Sequence, residues 1–143
     1  MSQPLKQVAA LPTVETEDGP FVLLITTRRR GRWTIPKGWP KQGIADADLA
    51  AKEATQEAGV EGDVGSEPVG VFGYTKRLHL FSWAKCRVEV YPLQVRLHRL
   101  DWREKAARKM RWVSPDEAAS LVADTELASL LRSLFHTRVP KRG

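Results

Sequence analysis

The chain has 143 residues, of which 42% are hydrophobic and 28% charged, which is typical of one soluble globular domain. No apolar run approaches the roughly 20 residues that cross a bilayer, and the first residues lack the layout of a signal peptide. We therefore expect a cytoplasmic protein with no membrane partner. The lone cysteine, Cys86, excludes an internal disulfide framework, and the formal charge of +6 favours anionic partners.

The first half of the chain begins with two predicted strands. Residues 7–14 are β-branched and apolar, and residues 21–27 form a stronger run of the same kind. An Asp-Gly turn signal lies between them, which predicts an antiparallel hairpin. A basic loop and a short extended piece at 33–35 follow. Residues 36–44 are rich in Pro and Gly, so we expect no regular element there.

A helix is predicted next, over residues 47–58. Asp46 is a candidate N-cap, the segment contains neither Gly nor Pro, and Gly59 is placed to end the helix as a C-cap glycine.

From residue 65 to about residue 98 the signals are mostly those of strands. Four runs carry the pattern, at 69–74, 79–83, 87–91 and 93–97. Pro92 separates the last two runs and predicts a bend or an edge position, because proline cannot donate to a sheet.

The last third predicts a charged loop at 101–108, a short strand at 110–113 and two helices. Ser114-Pro115-Asp116-Glu117 is a capping box with proline at the first helical position. The final helix, 126–135, has leucines at helical spacing. The element order predicts a single mixed α/β (α+β) domain over residues 1–143, with its core at about 6–135 and a loose basic tail at 136–143.

The predicted helix at 47–58 contains the residues best suited to chemistry. Glu53 and Glu57 are four residues apart, so their carboxylates share one helix face, and Gln56 flanks it. A divalent cation between the carboxylates would reverse their repulsion, since Mg²⁺ typically takes one or two carboxylates plus substrate phosphates. A solvated helix face is the alternative for such a pair.

The surrounding stretch resembles the Nudix box, Gly-x5-Glu-x7-Arg-Glu-U-x-Glu-Glu-x-Gly-U, where U is a bulky apolar residue. The pattern falls on Gly38, Ile44, Lys52, Glu53, Ala54, Gln56, Glu57, Gly59 and Val60. Ile44 and Gln56 stand where the family has acids, Lys52 replaces an arginine, and Ala54 is smaller than usual.

The flanking segments resemble the same family. Residues 33–38 and the order of elements are similar to the Nudix fold, a mixed β-sheet between helices. Residues 108–113, followed by a helix that contains Glu117, resemble the branch of diphosphoinositol-polyphosphate and diadenosine-polyphosphate hydrolases. The resemblance covers roughly residues 6–135.

This resemblance implies a hydrolase of a phosphoanhydride bond that uses Mg²⁺ or Mn²⁺ to activate water. Glu53 and Glu57 would be metal ligands, with Gln56 and the Lys37 carbonyl beside them, and Glu57, then Glu53, would be the first choices for the base. Basic and loop residues would bind a small-molecule polyphosphate: Arg28, Arg29, Arg30, Arg32, Lys37, Gly38, Trp39, Lys41, Lys109 and Arg111.

Three interpretations of function remain open from the sequence. The first is hydrolysis of a nucleoside polyphosphate, a dinucleoside polyphosphate or an inositol pyrophosphate. The second is a catalytically weakened protein that binds such a ligand as a sensor, because an amide at Gln56 brings no charge and cannot act as a base. The third, an RNA-binding or RNA-end-processing protein, is favoured only by net charge, so we do not expect a nucleic-acid partner. The oligomeric state stays open.

Overall fold

The computed structural model describes residues 3–136. Within them the chain forms eight strands, three α-helices and one 3₁₀ turn. In chain order these are β1 (Leu5–Thr16), β2 (Gly19–Thr26), β3 (Trp33–Thr34), β4 (Lys37–Gly38), α1 (Asp46–Ala58), β5 (Val60–Val64), β6 (Gly70–His79), β7 (Ser82–His98), the 3₁₀ turn (Lys105–Ala107), β8 (Met110–Val113), α2 (Pro115–Leu121) and α3 (Thr125–His136). The predicted tail, 136–143, lies outside the described residues except for His136.

The described strands join in one mixed sheet, whose central order is β3-β2-β1-β7-β5. The first two strands form the predicted hairpin, and Gly19 takes a φ of 102° at its turn. β1 runs parallel to β7, from the pair Leu5–Cys86 to the pair Thr13–Gln94. β4, β6 and β8 attach to β1, β7 and β2 respectively.

Helices cover both faces of this sheet. Side chains alternate along a strand, so Val8 and Ala10 of β1 point into the core beneath α1, whereas Ala9 and Leu11 point into the core beneath α2 and α3. The predicted layers, a mixed sheet between helices, are therefore confirmed. Among residues 3–136, no helix is long and apolar enough to span a membrane.

The end of α1 was predicted correctly, but the helix begins one residue earlier than predicted and its N-cap was wrong. Gly59 ends the helix in the left-handed conformation, with a φ of 72°. At the other end the N-cap is Ala45, and Asp46 is already the first helical residue. The Asp46 carboxylate instead accepts a hydrogen bond of 2.6 Å from Lys6 Nζ on β1, which draws it away from the helix terminus.

The predicted strand at 79–83 is wrong. β6 and β7 form one long hairpin that reverses at Leu80 and Phe81, so the apolar run crosses a turn. Pro92 does not break β7 either, because it lies where the partner strand changes. On this side of β7, residues up to Val90 pair with β6, and residues from Leu93 onward pair with β5. Pro92, which has no N–H to donate, falls between the two partners.

Two short strands were not expected. β5 follows α1 at once and pairs with the end of β7. β4 lies in the segment that we expected to be irregular, where Lys37 and Gly38 pair with Ala9 and Val8 of β1. The predicted cap of α2 is confirmed, since the Ser114 hydroxyl accepts from the Glu117 N–H.

Candidate active site

A pocket of about 1040 Å³ opens between the β2–β3 loop, the second half of α1, the β6–β7 hairpin and the α2–α3 turn. Nine lysines and arginines line it: Arg28, Arg29, Arg30, Arg32, Lys37, Lys41, Lys76, Arg77 and Arg108. Its acidic residues are Glu53, Glu57 and Asp124. This excess of positive charge suits an anionic ligand.

The arginine loop between β2 and β3 is shaped by Thr27. Its N–H donates to the Arg32 carbonyl at 2.8 Å, and its hydroxyl accepts from the Arg32 N–H at 3.1 Å. Gly31 completes the turn with a φ of 64°, a conformation that favours glycine. The closed loop holds Arg28, Arg29 and Arg30 at the pocket rim.

Glu57 lies at the inner end of the pocket. Only 6% of the residue is exposed, and the Lys37 N–H points at its Oε1 from 3.4 Å. Glu53, one turn earlier on α1, lies over Gly38, where a Cβ atom would overlap the Glu53 carboxylate. The short strand β4 therefore brings its backbone against both carboxylates, and glycine at residue 38 leaves the space for one of them.

Arg108 approaches Glu57 from the segment before β8. Its guanidinium donates to Glu104 Oε1 at 2.9 Å and to the Thr26 carbonyl at 3.0 Å, and its remaining nitrogen lies 3.8 Å from Glu57 Oε1. The arginine is largely buried. Its single positive charge is therefore divided between Glu57 and Glu104.

The Glu57 carboxyl is therefore short of positive partners. Burial, then the hydrogen bond with Glu53, raise the pKa of Glu57 to about 8, although Arg108 opposes the rise. A buried carboxylate beside a second, half-buried one needs a shared proton or a cation.

Lys37 extends its side chain along the pocket wall. Its ammonium lies 5.1 Å from the centre of the Tyr74 ring, and the Tyr74 hydroxyl donates to Gln7 Oε1 at 2.6 Å, which fixes the ring. Burial lowers the pKa of Lys37, and the nearby charges of Asp124 and Glu57 oppose that effect. Burial raises the pKa of Asp124, while Lys37 and Arg32 oppose it.

Most of the residues proposed from the sequence lie together in this pocket: Arg28, Arg29, Arg30, Arg32, Lys37, Gly38, Trp39, Lys41, Glu53 and Glu57. Gln56, Lys109 and Arg111 are not among the lining residues. The backbone carbonyl of Gln56 accepts a hydrogen bond from the Glu104 N–H. The Arg111 guanidinium pairs with Glu117 on the surface. The Lys109 N–H donates to the Thr26 hydroxyl.

Several pocket residues were not proposed from the sequence: Gln7, Tyr74, Lys76, Arg77, Arg108 and Asp124. Arg108 begins the segment 108–113, whose resemblance to the polyphosphate hydrolase branch was a sequence signal that could have marked it. The others come from distant strands and the α2–α3 turn, and nothing in local spacing marks them as neighbours of α1.

The donor set fits one divalent cation in part. Glu53 and Glu57 supply two hard carboxylates beside a pocket suited to phosphate, which is a common arrangement for Mg²⁺. Among residues 3–136, no group of three or more His, Cys, Asp or Glu side chains is placed to hold a metal. Ile44, where the family has an acid, packs against the core beneath α1.

Sequence comparison finds hydrolases. The chain is 28% identical over 124 residues to the asymmetrical bis(5'-nucleosyl)-tetraphosphatase of Sus scrofa, covering 85% of this chain and 82% of the relative. It is 27% identical over 114 residues to the mitochondrial Nudix hydrolase 13 of Arabidopsis thaliana, of which it spans 56%. No protein-family model matches the chain.

Solved structures show the same fold. A crystal structure of the C. elegans Ap4A hydrolase has a TM-score of 0.69 at 16% identity and covers 96% of this chain and 100% of its own. The Nudix domain of Shewanella oneidensis NrtR, solved with ADP ribose, has a TM-score of 0.67 at 13% identity and covers 96% and 90%.

These comparisons confirm the resemblance to the Nudix hydrolases and the Nudix fold. They also support an enzyme of the pyrophosphohydrolase class.

Proposed function

We propose that this protein hydrolyses a phosphoanhydride bond in a nucleoside or dinucleoside polyphosphate, with an inositol pyrophosphate as a further candidate, and that it needs Mg²⁺ or Mn²⁺. The observation that carries the proposal is the carboxylate pair of the buried Glu57 and the half-buried Glu53 in a pocket rich in arginine and lysine. Similarity to a bis(5'-nucleosyl)-tetraphosphatase favours the nucleotide substrates.

The main parts of the pocket each have a role in this proposal. The arginine loop, with Lys37 and Lys41, would bind and align the phosphate chain, because guanidinium groups match phosphate oxygens in pairs. Glu53 and Glu57, with the Lys37 carbonyl beside them, would hold the cation. When bound, that cation neutralises phosphate charge and makes water easier to deprotonate.

The reaction adds water across the anhydride. The water oxygen bonds to phosphorus, the bridging P–O bond breaks, and the leaving phosphate departs with the electron pair. Glu57 is our choice for the group that takes the water proton, since it is the carboxylate at the inner end, held by the Lys37 N–H and Arg108. Glu53 is the second choice. Positioning and electrostatics supply most of the rate in phosphoryl transfer.

The test is hydrolysis of diadenosine polyphosphates, nucleoside triphosphates, ADP-ribose and inositol pyrophosphates, with Mg²⁺, with Mn²⁺ and with EDTA. Glu57→Gln and Glu53→Gln should each remove most turnover. Glu67→Gln, an exposed carboxylate outside the pocket, is the matched control and should keep it. Turnover in EDTA, or full turnover in both pocket variants, would refute the proposal.

The second candidate is a protein that binds a polyphosphate without cleaving it. Gln56 favours it, because this residue has an amide where the family has an acid, and it is not among the residues that line the pocket. Calorimetry and a turnover assay separate the two candidates. A folded sample that binds a diadenosine polyphosphate but releases no product with either metal would establish the second. Gln56→Glu would then be expected to raise turnover.

A further inference from the structure

The β6–β7 hairpin extends beyond the rest of the sheet. β7 pairs with β1 only from Cys86 onward, whereas its pairing with β6 continues outward from Thr75–Lys85 to His79–Ser82. Five residues of β6 therefore stand in a two-stranded ribbon that projects roughly 15 Å. The turn at its end is the most distant part of this element from the core.

The tip of this ribbon is apolar and exposed. Leu78 is 42% exposed, Leu80 65%, Phe81 88% and Trp83 56%. Four large apolar side chains grouped at one protruding end are unusual for a surface in contact with water alone. They do not contribute to either core cluster. Leu78, Leu80 and Trp83 border the outer part of the pocket on one side, whereas Phe81 lies outside it.

The ribbon behind the tip carries only positive charge. Residues 68–88 contain no Asp or Glu, but they contain Lys76, Arg77, Lys85 and Arg87. Arg87 is paired with Glu89, while Arg77 lies over the Trp83 ring at 5.6 Å from its centre. An apolar tip with a basic collar is complementary to a surface that is negative outside and hydrocarbon within.

We propose that this hairpin tip docks the protein on anionic lipid bilayers. Leu80 and Phe81 enter the interface, Trp83 lies at the level of the headgroups, and Lys76, Arg77 and Lys85 contact anionic headgroups. Such a contact needs no membrane-spanning helix, because a peripheral anchor enters the interface without crossing it.

The shape and chemistry of the tip favour a bilayer over two other occupants. A stable protein partner needs about 800 Å² from each side, contributed by about 20–30 residues, whereas the apolar tip has four large side chains. Single-stranded nucleic acid is bound by stacking on successive aromatic faces. Phe81 offers one exposed ring, but Leu80 has none and one face of Trp83 is covered by Arg77.

The experiment is co-sedimentation of the full chain with phosphatidylcholine vesicles that contain or lack phosphatidylserine. Wild type should sediment with the anionic vesicles, less so at high salt, and poorly with phosphatidylcholine alone. Phe81→Ser and Leu80→Ser should each reduce the bound fraction about tenfold, since each removes the burial of a large apolar side chain. Lys85→Glu should weaken binding to anionic vesicles.

Leu100→Ser is the matched control, because Leu100 is 90% exposed but lies in the loop after β7. It should bind vesicles as wild type does. All the substituted residues are exposed, so thermal unfolding should be unchanged and a loss of binding would not reflect misfolding. The readout does not depend on the proposed hydrolase activity.

Two results would overturn the proposal: wild type could fail to sediment with anionic vesicles, or Phe81→Ser could sediment as strongly as wild type. In the second case, Phe81→Ser could also abolish binding to single-stranded RNA, or dissociate a dimer seen by light scattering. Either of these last outcomes would assign the tip to nucleic acid or to a second copy of the chain.

Discussion

Gly38 shows how a single missing side chain shapes the proposed site. In Gly38→Ala the added methyl group would overlap the Glu53 carboxylate, which is the flexible end of a side chain and can move away. We therefore expect stability to change little but kcat/KM to fall about 100-fold, because a displacement of about 1 Å at a reacting centre has that effect. Steady-state kinetics with a Mg²⁺ titration, together with thermal unfolding, would measure both. A variant with wild-type kinetics would show that Glu53 need not lie over residue 38.

Glu57 makes the stability of the cation-free protein depend on pH. Its pKa is raised from 4.5 to about 8 by burial and by Glu53, while Glu104 adds to the rise and Arg108 opposes it. A group whose pKa is raised on folding stabilises the fold fully below its unfolded pKa, and that contribution is lost as pH rises through the folded pKa. In EDTA, wild type should therefore lose stability relative to Glu57→Gln between about pH 4.5 and about pH 8.

A divalent cation should reverse this loss, because it binds the ionised carboxylates. We expect Mg²⁺ to raise the Tm of wild type more at about pH 9 than at about pH 6, and to have little effect on Glu57→Gln. For a domain of this size, each kcal/mol of added unfolding free energy raises Tm by about 2–4 °C. Thermal unfolding of both proteins across this pH series, with and without Mg²⁺, is the measurement. Equal Mg²⁺ shifts in the two proteins would mean that the cation binds elsewhere.

At the scale of elements, the junction of α1 and β5 depends on Gly59. The residue is left-handed, with a φ of 72°, and a Cβ atom would also overlap the Trp102 indole. Gly59→Ala should cost about 1 kcal/mol from backbone strain and more from the collision. Gly31→Ala is the matched control: its φ is 64°, but nothing lies within 4 Å of the added atom. Urea unfolding should show a larger loss for Gly59→Ala, and equal losses would mean that Trp102 moves aside freely.

The same junction shows which parts of an element could be predicted from sequence. The end of α1 could, because a glycine after a run of helix formers has a local meaning. Its start could not, because Asp46 is drawn to Lys6, which is forty residues away in the chain. β5 was missed for a related reason: its five residues include Gly62 and alternate weakly, and its pairing with β7 is what makes it a strand.

Across the whole molecule, the sequence predicted one wall of the pocket. Helical spacing placed Glu53 and Glu57 on one face, and the arginine loop lies before them in the chain. The opposite wall, with Tyr74 and Asp124, comes from β6 and from the turn before α3. Those residues meet α1 only because β1 and β7 run parallel through the centre of the sheet and carry β6 to that side, a tertiary relation with no local signature.

The charge of this assembled pocket gives a test at the same scale. Nine lysines and arginines face three acids around it, so its field should attract a polyphosphate from a distance. If the protein is a hydrolase, kcat/KM should fall as salt is raised, by about tenfold between low and physiological ionic strength, with the change mostly in KM, because screening weakens capture but not the chemical step. Arg30→Ser should lower kcat/KM at low salt and flatten its dependence on salt. Arg132→Ser, an exposed arginine on α3 outside the pocket, should change neither. Parallel salt curves for wild type and Arg30→Ser would show that the overall charge of +6, and not the pocket loop, draws the substrate in.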